Sequence, residues 1–213
     1  MNPNVAADLQ HSRATIMGKV ATVLRDADAS TTNIDSAIAR TSVSMQEISA
    51  KFGGGRELLL AMVSQLSDSM SAPLTSGATK PESTKPDWTQ RLLEFGQCVT
   101  EVYATSHLRG LYRIAITESI RHTGLGRDFY EIGPGRLEQR LADFLQLAQA
   151  EGALRCADPH LLASHFLSLL RANVDVVDTF PDDLVTSPVA RGAYVRNVVD
   201  LFCNGINRGR PPC

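Results

Sequence analysis

Asp158, His160 and His165 come nearest to a catalytic or metal-binding group in this sequence. The two histidines are five residues apart, a spacing that neither shares a helix face nor suits a metal site. Cys98, Cys156, Cys203 and Cys213 are scattered with no close ligand spacing. They read as reduced cytosolic thiols rather than a disulfide framework. No Gly-x-Ser-x-Gly, phosphate loop, His-Glu-x-x-His or Cys-x-x-Cys occurs. An enzyme is therefore not expected, nor a cofactor or a bound metal. What remains is the chemistry of binding, which depends on how the secondary structure presents side chains.

The chain of 213 residues can bury a sizeable core, as one large domain or two small ones. Its 43% hydrophobic and 21% charged residues are ordinary for a globular protein and argue against wholesale disorder. No apolar run approaches the roughly 18 residues of a membrane span, so no membrane partner is expected. The first residues lack a basic segment followed by an apolar one, so no secretory signal is read and the expected location is cytoplasmic. A net charge of −2 gives no global nucleic-acid signature.

Ile16, Val20, Val23 and Leu24 recur at helical spacing and predict a first helix. Thr31 and Thr32 can cap a short second helix that turns Ile34, Ala37 and Ile38 inward. Ser44 is a candidate N-cap with Glu47 as its capping-box partner, opening a third helix that buries Ile48 and Phe52. Gly53-Gly54-Gly55 stops that helix, and a fourth begins near Arg56. Two short helices joined by a tight turn and packed by flanking helices make a helix-turn-helix pattern. Ser71–Asp87, rich in Ser, Thr, Pro and Lys, predicts a flexible connection between a domain over 1–70 and a second over 88–213. Helical patterns then cover Trp88–Tyr103, Leu108–Arg121, Phe129–Glu151 with a kink near Gly133-Pro134-Gly135, Asp158–Phe180 and Val189–Ile206. With no alternating strand pattern, the class is all-α, with about nine helices.

Thr32–Met62 resembles the DNA-binding domain of TetR-family regulators, with Thr32, Ile34, Val43, Ser44, Ile48, Phe52, Leu58, Leu59 and Ala61 on the family pattern without a gap. Leu111–Leu170 is similar to the C-terminal domain of regulators grouped with AefR, notably at Phe129-Tyr130-Glu131 and Ala150-Glu151-Gly152-Ala153-Leu154-Arg155 before Asp158-Pro159. The resemblance implies a homodimeric repressor that binds a palindromic duplex operator and answers to a small, mainly apolar effector. The helix from Ser44 to Phe52 would enter the major groove, with two copies about one DNA turn apart, ~34–36 Å. Gln46 would read an adenine edge. Met45 would either touch a thymine methyl or stay exposed. Thr32, Ser44, Ser49, Lys51 and Arg56 would hold phosphates, helped by the helix N-termini. The implied effector pocket is lined by Trp88, Phe95, Val99, Tyr103, Tyr112, Ile116, Phe129, Tyr130, Phe144 and Phe166, with His107 or His165 as polar contacts. Leu161–Val177 and Val189–Ile206 would pack against their copies in a second subunit, with Val195, Val198, Val199 and Phe202 giving the last helix its apolar interface.

The sequence departs from the family pattern at the DNA surface. Ser49 replaces the family's tyrosine, Gly55 its phosphate-binding lysine and Ser42 its turn glycine, while Glu47 turns a carboxylate towards a polyanion unless the capping box occupies it. Before the linker, six cations (Arg13, Lys19, Arg25, Arg40, Lys51, Arg56) face seven carboxylates (Asp8, Asp26, Asp28, Asp35, Glu47, Glu57, Asp68), a balance of −1. Phosphate neutralisation supplies most non-specific affinity, so the rival expectation is a TetR-like ligand-binding or interaction module with largely lost DNA affinity.

Overall fold

The computed structural model describes residues 3–26, 33–75, 87–104, 106–179 and 188–205. Among them run ten α-helices and no strand: α1 (Pro3–Asp26), α2 (Ile34–Ala39), α3 (Met45–Phe52), α4 (Gly55–Thr75), α5 (Trp88–Tyr103), α6 (Ser106–Ile120), α7 (Leu125–Ile132), α8 (Pro134–Ala150), α9 (Pro159–Thr179) and α10 (Pro188–Asn204). The tenth arises at Gly133, where one kinked helix was expected. The backbone there leaves helical geometry (φ −101, ψ −97), and Pro134 restarts the next helix at a position that needs no N–H.

The helices gather into two compact units, each built from two pieces of chain: residues up to Ser67 with Thr105–Gly135, and Asp68–Ala104 with Arg136 onwards. In the first unit the predicted stripe of Ile16, Val20 and Leu24 on α1 is buried. It joins Ala37 and Ile38 of α2, Ile48 of α3, and Leu58, Leu59, Met62 and Val63 of α4 in one core. That core continues through Leu111 and Ile114 of α6 to Leu125 and Phe129 of α7. Apolar side chains at three- and four-residue spacing are thus used up on one face of each helix, each worth roughly 1.5–3 kcal/mol when buried.

In the second unit Leu92, Phe95 and Val99 of α5 are buried with Leu141, Phe144 and Leu145 of α8, Phe166 and Leu170 of α9, and Val195, Val198 and Val199 of α10. Asp158 caps α9 as expected, its Oδ1 accepting from the backbone N–H of His160 at 2.9 Å, with Pro159 in the first turn.

Two local expectations are corrected. The cap of α2 is Asn33, whose Oδ1 accepts from Ser36 N–H at 2.7 Å. A cap must stand immediately before the first helical residue, and Asn33 does. Thr31 and Thr32 lie outside the described residues. The expected break at Ser71 is also displaced, because α4 runs through Pro73 to Thr75. Met70, Ser71 and Leu74 are buried there, and the carbonyls of Pro73 and Leu74 accept from the guanidinium of Arg91. Burial of that face and an external donor for the final carbonyls offset the helix-breaking cost of Pro73. Residues 76–86 lie outside the described set.

Candidate functional site

The turn between α2 and α3 is closed by its own side chains. Thr41 Oγ1 donates to the Ile38 carbonyl at 2.7 Å and accepts from Val43 N–H at 3.1 Å. Arg40 is right-handed and Ser44 extended, and the one described non-glycine residue with positive φ is His122. Ser42 therefore carries no left-handed strain in the family's glycine position. Ser44 caps α3, its Oγ accepting from Glu47 N–H at 3.1 Å. Gly53, at φ 98, closes the helix in the left-handed conformation that glycine adopts without cost.

Ile48 is fully buried, so the opposite face of α3 is turned out: Met45 is 45% exposed, and Gln46, Glu47 and Ser49 are exposed as well. Phe52 is half-buried beneath the guanidinium of Arg13, 4.6 Å from its ring centroid. Lys51 is half-buried at the end of the helix. Gly55 answers a packing demand, since a Cβ there would stand 3.1 Å from Ile34 and 2.7 Å from Asp35 Oδ1. The position that carries the family's lysine is here the point where the start of α4 lies against α2. Arg56 is committed inside the unit, ion-paired to Asp128 of α7 and donating to the Thr123 carbonyl at 3.3 Å. Lys19 Nζ donates to Ser42 Oγ at 3.2 Å.

Sequence reading missed Asp128, which stands 72 residues from Arg56 and carries no local signal of that pairing. It also missed Arg91, which lies over the rings of Phe144 and Trp88 at 4.9 and 5.7 Å. Burial lowers the Arg91 pKa, against the opposing pull of Glu94.

The ten residues expected around one effector pocket are divided between the units. Trp88, Phe95, Val99, Tyr103, Phe144 and Phe166 belong to the second. There Trp88 packs on Phe144 at 4.9 Å and Phe95 stacks with Phe166 at 6.2 Å. Tyr112, Ile116, Phe129 and Tyr130 belong to the first. Tyr112 meets the edge of Phe129 at 5.0 Å, while Ile116 and Tyr130 are 59% and 56% exposed. The polar candidates divide too: His165 is exposed on α9, and His107 is half-buried on α6. Its Nδ1 meets no hydrogen-bond partner among the described residues. Burial, with Arg25 nearby, pushes the His107 pKa below 6.5.

The second unit also carries an open cleft of about 480 Å³ between α9 and α10, lined by Leu154, Arg155, Leu162, His165, Leu169 and Phe202 among others. The valines expected at a subunit interface are spent inside this unit. Val195, Val198 and Val199 are buried against its own helices, and a Cβ on Gly96 of α5 would lie 2.7 Å from Val195. Phe202 is half-buried on Phe166, centroids 4.9 Å apart. Among the described residues, the exposed large apolar side chains of α9 and α10 are instead Leu161, Val189 and Leu201, at 54%, 80% and 41% exposure.

Burial pushes the Cys98 and Cys203 thiols up, away from the thiolate form a nucleophile needs. Among the described residues, no group of three His, Cys, Asp or Glu side chains is placed to hold a metal. No described helix is long and apolar enough to cross a membrane.

Residues 90–205 match the family described as the AefR-like transcriptional repressor, C-terminal domain. No curated protein matches the chain. Among solved structures, it is similar to a TetR-family transcriptional regulator of Mesorhizobium loti at TM-score 0.68 and 19% identity, covering 91% of this chain and 96% of that one. The flavonoid-responsive regulator FrrA matches at TM-score 0.59 and 22% identity, over 91% of this chain and 95% of its own. The TetR-family regulator PfmR of Thermus thermophilus matches at TM-score 0.59 and 16% identity, over 92% and 97%. An exposed, capped second helix of a helix-turn-helix and this run of structural likenesses agree with the matched C-terminal domain: the chain belongs to the TetR family of transcriptional regulators.

Proposed function

We propose that this protein is a homodimeric repressor that binds a palindromic operator through α3 and releases it on binding a small, mainly apolar effector. The observation that carries the reading is the outward face of α3, where Met45, Gln46 and Ser49 project from a helix fixed by Ser44, Gly53 and the buried Ile48. Gln46 reads a base edge, Ser44, Ser49 and Lys51 hold phosphates, and Thr32 is assigned the same role from the family pattern alone. The effector belongs to the aromatic second unit. FrrA is flavonoid-responsive, so a flavonoid is the first compound to test. The second copy packs on the outward residues of α9 and α10, Leu161 and Leu201, in place of the inward valines.

Binding to a labelled duplex from the region upstream of the gene, at two salt concentrations, tests this for wild type, Gln46→Ala and Lys51→Ala. Operator binding that weakens with salt and with Lys51→Ala, and loses sequence preference with Gln46→Ala, supports it. Affinity no better than for a random duplex sinks it. The rival reading, a ligand-binding module with little DNA affinity, draws on the engagement of Arg13 over Phe52 and of Arg56 by Asp128, and on the loss of the family's lysine at Gly55. Under that reading, Trp88 emission still responds to a ligand while no duplex binds.

A further inference from the structure

Arg56 stands in the first turn of α4, four residues past the end of α3. A cation beside the free amides of a helix N-terminus is well placed to meet phosphate. Its guanidinium is already engaged by Asp128 and by the Thr123 carbonyl. The pair is not sealed in, for the two side chains are 39% and 38% exposed, and an outside anion can reach it. The other acid of α7, Glu131, is taken by Arg127 at 2.8 Å, so of that helix's two carboxylates it is Asp128 that pairs with Arg56; Asp35 and Glu57 stand close to the backbone of Gly55 and Gly54 at the start of α4.

We infer that Asp128 is a built-in competitor of DNA phosphate for Arg56, an internal anion that lowers the affinity of the head for duplex. A phosphate contact contributes by replacing condensed counterions with a protein cation, and a cation already neutralised by its own carboxylate replaces none. Asp128 neighbours Phe129, whose ring is packed on Tyr112, so the competitor is held in place by a buried anchor rather than by a free side chain. This inference rests on the reading of the first unit as a DNA-binding head.

Asp128→Asn keeps the shape and removes the charge. Its binding to a random duplex and to the upstream duplex is measured across a salt series, with Glu131→Gln as the control of equal charge change. Expected are about three-fold tighter binding at low salt and a salt slope steeper by about one for Asp128→Asn, in excess of Glu131→Gln. The gain must vanish when Arg56→Ala is added. Equal gains in the control, or a gain that survives Arg56→Ala, would show a general charge effect and overturn the inference. If wild type binds no duplex but Asp128→Asn does so through Arg56, the repressor reading fails while the competition stands. If neither binds, both fall. Melting curves of each variant separate loss of binding from loss of fold.

Discussion

Ile48→Ala should detach the recognition helix from its unit. The helix has eight residues, and Ile48 alone among them is fully buried, with Phe52 half-buried beneath Arg13. The substitution deletes three carbon atoms, which at ~0.8 kcal/mol each gives about 2.4 kcal/mol of lost burial. The cavity left behind adds about 1 kcal/mol, so the expected loss is roughly 3–4 kcal/mol. Ile48→Val should cost about 1 kcal/mol, and the exposed Ser49→Ala under about 0.5 kcal/mol. Urea unfolding read by circular dichroism at fixed protein concentration measures these losses. Each transition is fitted separately, because two units need not unfold in one step. Amide exchange should locate the damage in α3, and duplex binding should fall while Trp88 emission is unchanged. A loss below about 1 kcal/mol for Ile48→Ala, or one no larger than that of Ser49→Ala, would refute the claim that one side chain anchors this helix.

Three further outcomes are expected. Ser44→Ala removes the oxygen that accepts from Glu47 N–H, and should cost about 1 kcal/mol, with Ser44→Gly milder, in the same unfolding assay. Arg91→Ala strips the donors from the Pro73 and Leu74 carbonyls and should cost about 2 kcal/mol, with Arg91→Lys recovering only part, since an ammonium lacks the planar fork. His107 titrates below 6.5 when folded, so the unfolded chain takes up the proton first as pH falls; its contribution is complete above about pH 6.5 and is lost as pH drops through the lower folded value. His107→Gln should flatten that part of the stability curve, and an unchanged slope would rule out the assignment.

The parts of the fold legible in the sequence are those set by neighbours along the chain. The stripe Ile16, Val20, Leu24 lies within one helix, and Ser44, Gly53 and Asp158 act on backbone a few residues away. The parts that were not legible depend on partners distant in sequence. The Ser71–Thr75 segment has linker composition, yet it stays helical because Arg91 of α5 reaches its carbonyls. The periodicity of Val195, Val198 and Val199 shows that they are buried, but not by whom, and their partners are in their own unit. Likewise the stripe of Leu111 and Ile114 on α6 shows an inward face without revealing that it completes the helix-turn-helix core. At the candidate site, the caps and the outward face of α3 were readable, whereas the engagement of Arg56 by Asp128 was not.

The two-piece construction of the first unit sets the order in which the protein can mature. Its core closes only when Leu111, Ile114, Leu125 and Phe129 arrive to cover α1 and α4. During synthesis at roughly 5–20 residues per second, the first four helices must wait several seconds for that cover, with their apolar faces open to chaperones and to aggregation. A fragment ending at Thr75 would keep α3, with every residue proposed to face the operator, and lack the wall that helix stands on. Such an excised head should be a poor substitute for the whole chain as a portable DNA-binding module.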